Sequence, residues 1–233
     1  MGEPRRDRLP VVEPESLSES DRPTRPAPRV AGVLLAAGTS SRYGDANKLL
    51  ADVDGEPMVR QSAQVLVDAG LDPVIVVVGY DAESVRAALD GLPVDVVENE
   101  AFESGQASTL RRGVQALESV ASPESVDAAV FSLGDMPYVD PASVEALVAT
   151  YAAGSRSALA AGYQGHRGNP VLFDRRHFSD LVSVDGDRGG REILYRASDA
   201  AVVETGDPGV RRDVDRPDDI DPSDDVEGGS RRT

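Results

Sequence analysis

At 233 residues, with 40% apolar residues but only 4% aromatics and no tryptophan, the chain can build one α/β domain cored by Val, Leu, Ile and Ala. A formal net charge of −17 argues against nucleic acid or an anionic membrane as partner, since both require a positive footprint. The absence of cysteine removes disulfides, thiolate metal sites and cysteine nucleophiles, and two histidines, His166 and His177, are too few for a histidine-based zinc site without carboxylate help.

No run approaches the roughly 18 consecutive apolar residues of a membrane span. The N-terminus is charged and proline-containing, without an export signal's apolar stretch, so a cytoplasmic location is expected. Lys48 is the only lysine; every other basic position is arginine or histidine. An acidic, lysine-poor surface suits a high-salt cytoplasm, where screening makes dense carboxylates tolerable, and a halophilic habitat is the expectation.

Residues 1–28 are rich in proline and charge and show no apolar periodicity, so a disordered tail is predicted there. The domain is predicted over 29–220. Strand 30–36 (VAGVLLA) comes first, followed by a helix over 57–69 that opens on proline and stops at Gly70. Strand 73–78, helix 82–89, strand 94–97 and helix 106–120 follow. Then come strand 128–133, a helix over 141–153 capped by Asp140, and short strands at 158–161, 170–173 and 200–203. Residues 221–233 are predicted to be a second disordered tail. Continuous apolar strands alternating with helices predict a single three-layer α/β domain with a mostly parallel, mixed, Rossmann-like sheet. Ligands of such sheets sit outside the carboxyl ends of the strands, which directs attention to the segments after Ala36, Val78, Val97 and Leu133.

The first strand runs into LLAAGTSSRYG (34–44), with NKLL at 47–50. Small residues at 36–38 let backbone approach a ligand, and their N–H groups can form an anion-binding nest. Ser40, Ser41, Arg42 and Lys48 add hydroxyl donors and two cations. This equipment suits a polyphosphate. Walker A is excluded because Asp45 follows Gly44, and the dinucleotide fingerprint fails for want of a second glycine after Gly38.

Further segments follow in order: NEAFESGQASTL (99–110), GDMP (134–137), GNPVLF (168–173), GDRGGR (186–191) and DVDRPDDI (213–220). Together with the first loop they resemble the nucleotidyltransferases of GT-A-like fold, and within them the molybdenum-cofactor cytidylyltransferase-like group. The resemblance spans nearly all of 29–220. Gly190 stands where that group carries alanine and Arg216 where it carries threonine.

The resemblance implies transfer of a nucleoside monophosphate from an NTP, CTP foremost, to a phosphorylated small molecule, foremost molybdopterin, with release of pyrophosphate. A molybdoenzyme would then receive the product. Alternatives stay open: GTP or another NTP, a sugar phosphate or phospholactate as acceptor, or a non-catalytic module that hands a cofactor on. An acceptor phosphate is already anionic, so no general base is needed, and positioning and electrostatics dominate. The implied catalytic residues are Arg42, Lys48 and Asp135. Asp135 and Asp215 would bind Mg²⁺, with Asp213 as the other candidate for the second ligand. Leu35, Ala36, Ala37, Gly38, Arg42 and Lys48 would hold the phosphates, while Asn99, Gly105, Gln106 and Ser108 would lie near the nucleoside. Gln106 and Ser108 equally suit the opening of a helix. His166, Asp187, Arg188 and Arg191 are expected to face the acceptor. His177 is expected to be structural.

Overall fold

The computed structural model describes residues 9–14, 27–39, 43, 47–120, 126–183 and 190–220. Its centre is β2 (Val30–Ala36), an all-apolar strand with β5 (Val74–Val78) on one side and β7 (Ala128–Leu133) on the other, all parallel. Beyond β5 lies β6 (Asp95–Glu98). Beyond β7 the order continues through β9 (His166–Asp174), β8 (Ala158–Tyr163) and β10 (Ala201–Glu204). Only β9 runs against its neighbours, so the sheet is mostly parallel and mixed, as the sequence pattern predicts.

Period-two alternation sorts the strand side chains onto two faces. Leu34, Val76 and Val130 point to the layer of α1 (Met58–Asp68), α2 (Ala82–Ala88) and α4 (Pro141–Ala152), where Leu66, Val85 and Leu147 meet them. Val33, Val77, Phe131 and Phe173 point the other way, to α3 (Gln106–Val120), α5 (Phe178–Val182) and α6 (Arg191–Arg196). Two short strands, β3 (Asp52–Val53) and β4 (Glu56–Pro57), pair separately as an antiparallel ribbon ahead of α1.

Local signals read from the sequence set the element ends. Asp140 accepts a hydrogen bond from Ala142 N at 2.9 Å, with Pro141 in the first turn of α4. Gly70, at φ +73°, follows the end of α1 in the left-handed conformation that glycine adopts without strain. The strands predicted at 158–161 and 170–173 are longer and form one hairpin. Gln164 and Gly165 turn it, both with positive φ, which is the geometry of a tight two-residue connection.

The N-terminal tail expectation needs correcting. Val11–Val12, here β1, adds a parallel edge strand to β10, with Val11 opposite Val202 and Val12 opposite Val203. An open sheet edge offers unpaired backbone groups, and a β-branched pair fits them better than a proline-rich tail would imply. The second predicted tail, 221–233, lies outside the described residues.

Helix α3 packs tightly on the sheet because Gly113 has no side chain: a Cβ there would lie 2.6 Å from Val33 Cγ1. Gly113→Val is expected to lower stability by about 1–3 kcal/mol through overpacking, read as a lower urea midpoint with an unchanged slope.

Candidate active site

Three chain segments far apart in sequence meet at the carboxyl ends of β2 and β7. The first is the Lys48–Leu50 helical turn. Asn47 caps it, accepting from Leu49 N at 3.1 Å and donating to the Tyr80 carbonyl at 3.4 Å, which fixes the direction of Lys48. The second is Gly134-Asp135. Gly134 N bonds the Leu35 carbonyl at 3.0 Å, and a Cβ on Gly134 would stand 3.2 Å from both Ala36 and Leu49 side-chain atoms. Glycine therefore brings Asp135 in beside the first strand.

The third segment is 213–220. Val214 is fully buried, and its N–H donates to the Asp135 carbonyl at 2.9 Å. Asp219 accepts from the backbone of Asp215 (3.0 Å) and Arg216 (2.8 Å). Arg212 lies 3.9 Å over the Tyr138 ring, and the Tyr138 hydroxyl donates to the Ile220 carbonyl at 3.0 Å. This clamp holds Asp215 in place.

At the meeting point, Lys48 Nζ donates to Asp135 Oδ2 at 2.7 Å and to Asp215 Oδ1 at 2.9 Å. Burial works to lower the lysine's pKa. Asp135 first and Asp215 second outweigh it, so the net value rises above the ordinary one and Lys48 stays charged. Asp135 Oδ1 is buried with no hydrogen-bond partner among the described residues. Such an orphan oxygen is costly unless a ligand completes it. One cation against two carboxylates leaves the trio net negative. Asp135 and Asp215 are thus the residues that could hold a divalent cation. No group of three or more potential metal-ligating side chains occurs among the described residues, so other ligands would come from water or phosphate, as Mg²⁺ commonly accepts.

Beside this trio opens a cavity of about 320 Å³. One wall is the strand end Leu35, Ala36, Ala37 and Gly38; Lys48 and Asp135 close one side, and Gly105 and Gln106 the other. The structure brings these residues, all singled out in the sequence, to one cavity. Phe102, Glu103 and Thr109 also line it and were missed as site residues, although they lie inside the quoted 99–110 segment. The close approach of that segment to the first loop depends on Gly79, where a Cβ would lie 2.6 Å from Phe102 Cβ and 2.8 Å from Ala37 Cβ.

Asn99 and Ser108 do not face the cavity, contrary to expectation. Asn99 is 4% exposed and donates to Ser108 Oγ (2.9 Å) and Thr109 Oγ1 (3.3 Å) while accepting from Ala101 N (3.1 Å). The Ser108 hydroxyl lies 2.9 Å from the Ala101 carbonyl and 2.8 Å from that of Gly105. Both side chains spend their hydrogen-bonding capacity shaping the turn into α3, the alternative role read for Ser108.

Three expected residues, Arg42, Asp187 and Arg188, lie outside the described residues. His166 lies away from the Lys48 cavity. It is exposed and lines a cavity of about 450 Å³ with Leu9, Val11 and Val202 at the β1 edge. Its neighbour Arg167, which sequence reasoning missed, lines a cavity of about 270 Å³ with the expected Arg191. Asp213 faces a small cavity with Arg211, so Asp215 is the carboxylate that meets Lys48. His177 is structural as expected: its Nε2 lies 2.9 Å from Ser157 Oγ, which donates to Asp199 at 2.7 Å.

A family model described as the MobA-like NTP transferase domain matches residues 32–201. Nicotine blue oxidoreductase of Paenarthrobacter nicotinovorans is 28% identical over 195 residues, covering 81% of this chain and 93% of that one. A probable molybdenum cofactor guanylyltransferase of Natronomonas pharaonis is 36% identical over 117 residues, covering 50% of this chain and 54% of that protein's length. Among solved structures, Rv0371c of Mycobacterium tuberculosis has 29% identity and a TM-score of 0.71 over 83% of this chain and 96% of its own. Its complex with manganese has 28% identity and a TM-score of 0.64, over 82% of this chain and 95% of that one.

If Asn99 is a framework residue, Asn99→Ala leaves its buried partners unsatisfied. A loss of about 1–3 kcal/mol is expected in urea denaturation.

Proposed function

The chain belongs to the MobA-like NTP transferase family, and from that premise we propose that it moves CMP from CTP onto the phosphate of molybdopterin, releasing pyrophosphate. The coarser activity, nucleotidyl transfer, is the one the family and the fold support. The single observation that carries the reading is the Lys48–Asp135–Asp215 convergence at the mouth of a glycine-floored cavity.

In the proposed reaction an acceptor phosphate oxygen forms a bond to the α-phosphorus. The bond from that phosphorus to the oxygen bridging toward the β-phosphorus breaks, and pyrophosphate leaves with the electron pair. No proton needs to be removed from the nucleophile. The difficulty is charge: two anions must approach while more negative charge gathers on the leaving group. Lys48 offers a permanent cation at the cavity wall, and Ala37 and Gly38 let backbone come close to the phosphates. A Mg²⁺ held by Asp135 and Asp215 would supply charge neutralisation and phosphate orientation. The orphan Oδ1 of Asp135 favours that assignment, and the manganese complex of Rv0371c lends it support by analogy.

GTP is the second reading, favoured by the guanylyltransferase relative. The deciding experiment offers each of the four NTPs with Mg²⁺, with and without molybdenum cofactor, at low and high salt, and measures pyrophosphate. Acceptor-dependent release from CTP alone is expected. Release from none of the four would overturn the transferase reading and leave oxidoreductase chemistry, as in the name of the Paenarthrobacter relative, to be tested. Lys48→Ala and Asp135→Ala are each expected to lower kcat by about 10²–10³ while the far-ultraviolet circular dichroism persists. Near-normal turnover in either variant removes that residue from the mechanism.

A further inference from the structure

We infer that Lys48 stands in for the divalent cation between Asp135 and Asp215: the ammonium and the ion exchange for one position, and loading of the ion swings the lysine into the nucleotide cavity. The inference rests on the reading of these two aspartates as the ion's ligands. It goes further in making the ion, rather than the nucleotide, the agent that releases Lys48.

A cation shared by two carboxylates needs one oxygen from each. Lys48 Nζ already lies within hydrogen-bond distance of both, 2.7 Å from Asp135 Oδ2 and 2.9 Å from Asp215 Oδ1. Mg²⁺ binds oxygen at about 2.0–2.1 Å, so an ion on the same two oxygens would meet Nζ at close range. Two cations that near repel strongly, and the lysine side chain is only 14% exposed, so little water screens them. The ion also has more to gain at this position. Asp135 Oδ1 is buried with no hydrogen-bond partner among the described residues. A double charge beside that carboxylate offsets its desolvation better than a single charge divided between two aspartates.

The residue type suits exchange. Lys48 is the only lysine in a chain whose other strongly basic positions are all arginine. A guanidinium is a planar fork that grips a carboxylate bidentately, as a permanent occupant would. An ammonium is a compact point charge on a flexible four-carbon stem, nearer to a metal ion in shape and easier to displace. The base of that stem is fixed, because Asn47 caps the Lys48–Leu50 turn. The path out is short: Lys48 lines the same cavity as Ala37, Gly38 and Thr39. Rotation about the stem therefore carries the ammonium from the carboxylates toward the floor on which phosphates would lie.

Because the chain has one lysine, labelling lysine with ¹³C at Cε gives a single side-chain signal that reports the exchange without turnover. The full chain is titrated with magnesium chloride in the absence of nucleotide, at an ionic strength held constant with potassium chloride. The signal is expected to move toward its position in the urea-unfolded protein, with the midpoint that calorimetry gives for Mg²⁺ binding. Lys48→Met, which keeps the length of the side chain without its charge, is expected to bind Mg²⁺ at least about tenfold more tightly, the scale of one charge-assisted contact. Adding Asp135→Asn is expected to abolish that gain. A lysine signal that stays in place while Mg²⁺ saturates the wild-type protein overturns the inference, as does equal or weaker binding in folded Lys48→Met. Exchange that behaves as expected in a protein releasing no pyrophosphate from any NTP keeps the inference and removes the transferase reading. Acceptor-dependent pyrophosphate release beside an unmoved lysine signal does the reverse.

Discussion

One ammonium group shared by two carboxylates organises this molecule. Lys48, Asp135 and Asp215 come from three segments that share no local structure, and the pair Lys48–Asp215 is separated by 167 positions. Bringing them together sets a demanding condition on everything around them. The strand ends must run close, which places glycine at 79 and 134, and the late segment must be tied down, which the Val214–Asp135 bond and the Tyr138–Arg212 stack accomplish. Leaving any member of such a partly buried set without its partners is costly, so these supports are under the same constraint as the trio.

At one cavity the local charge has the opposite sense to that of the whole chain. A net charge of −17 describes the whole chain, yet one cavity at the sheet's carboxyl end is lined by Arg167 and Arg191 with no carboxylate among the described residues, whereas Lys48 shares its cavity with Glu103 and Asp135. Local fields in low-dielectric clefts depend on nearby groups far more than on distant, screened ones. An acidic chain can in this way keep one locally positive cavity.

Much of the fold was legible because strand runs such as 30–36 and 128–133 are apolar throughout, and caps such as Asp140 and Gly70 carry their own stereochemistry. The glycine-bearing loop stood out by its small residues, and the two aspartates through the family resemblance of the segments that carry them; the structure brings both to Lys48. The errors have physical sources as well. Asn99 and Ser108 are polar residues inside a ligand-facing segment, and sequence does not say which way a side chain turns; burial decides that. Arg167 was missed because β9 runs against the other strands. The rule that ligands sit at carboxyl ends points to the end of a strand, whereas an antiparallel strand delivers its beginning to that side. Val11–Val12 was hidden by the prolines and charges around it, since two residues are too few for periodicity to register.

The dependence of the site on Val214 and Asp215 has a consequence for biosynthesis. The loop bearing Lys48 and the strand bearing Asp135 leave the ribosome long before the segment that supplies the second carboxylate. A nascent chain can therefore assemble most of its sheet while the trio is still missing a member, which arrives only when the final turn of the domain docks against Asp135. A chain cut short of Val214 would lack both the backbone bond to Asp135 and the second carboxylate at Lys48.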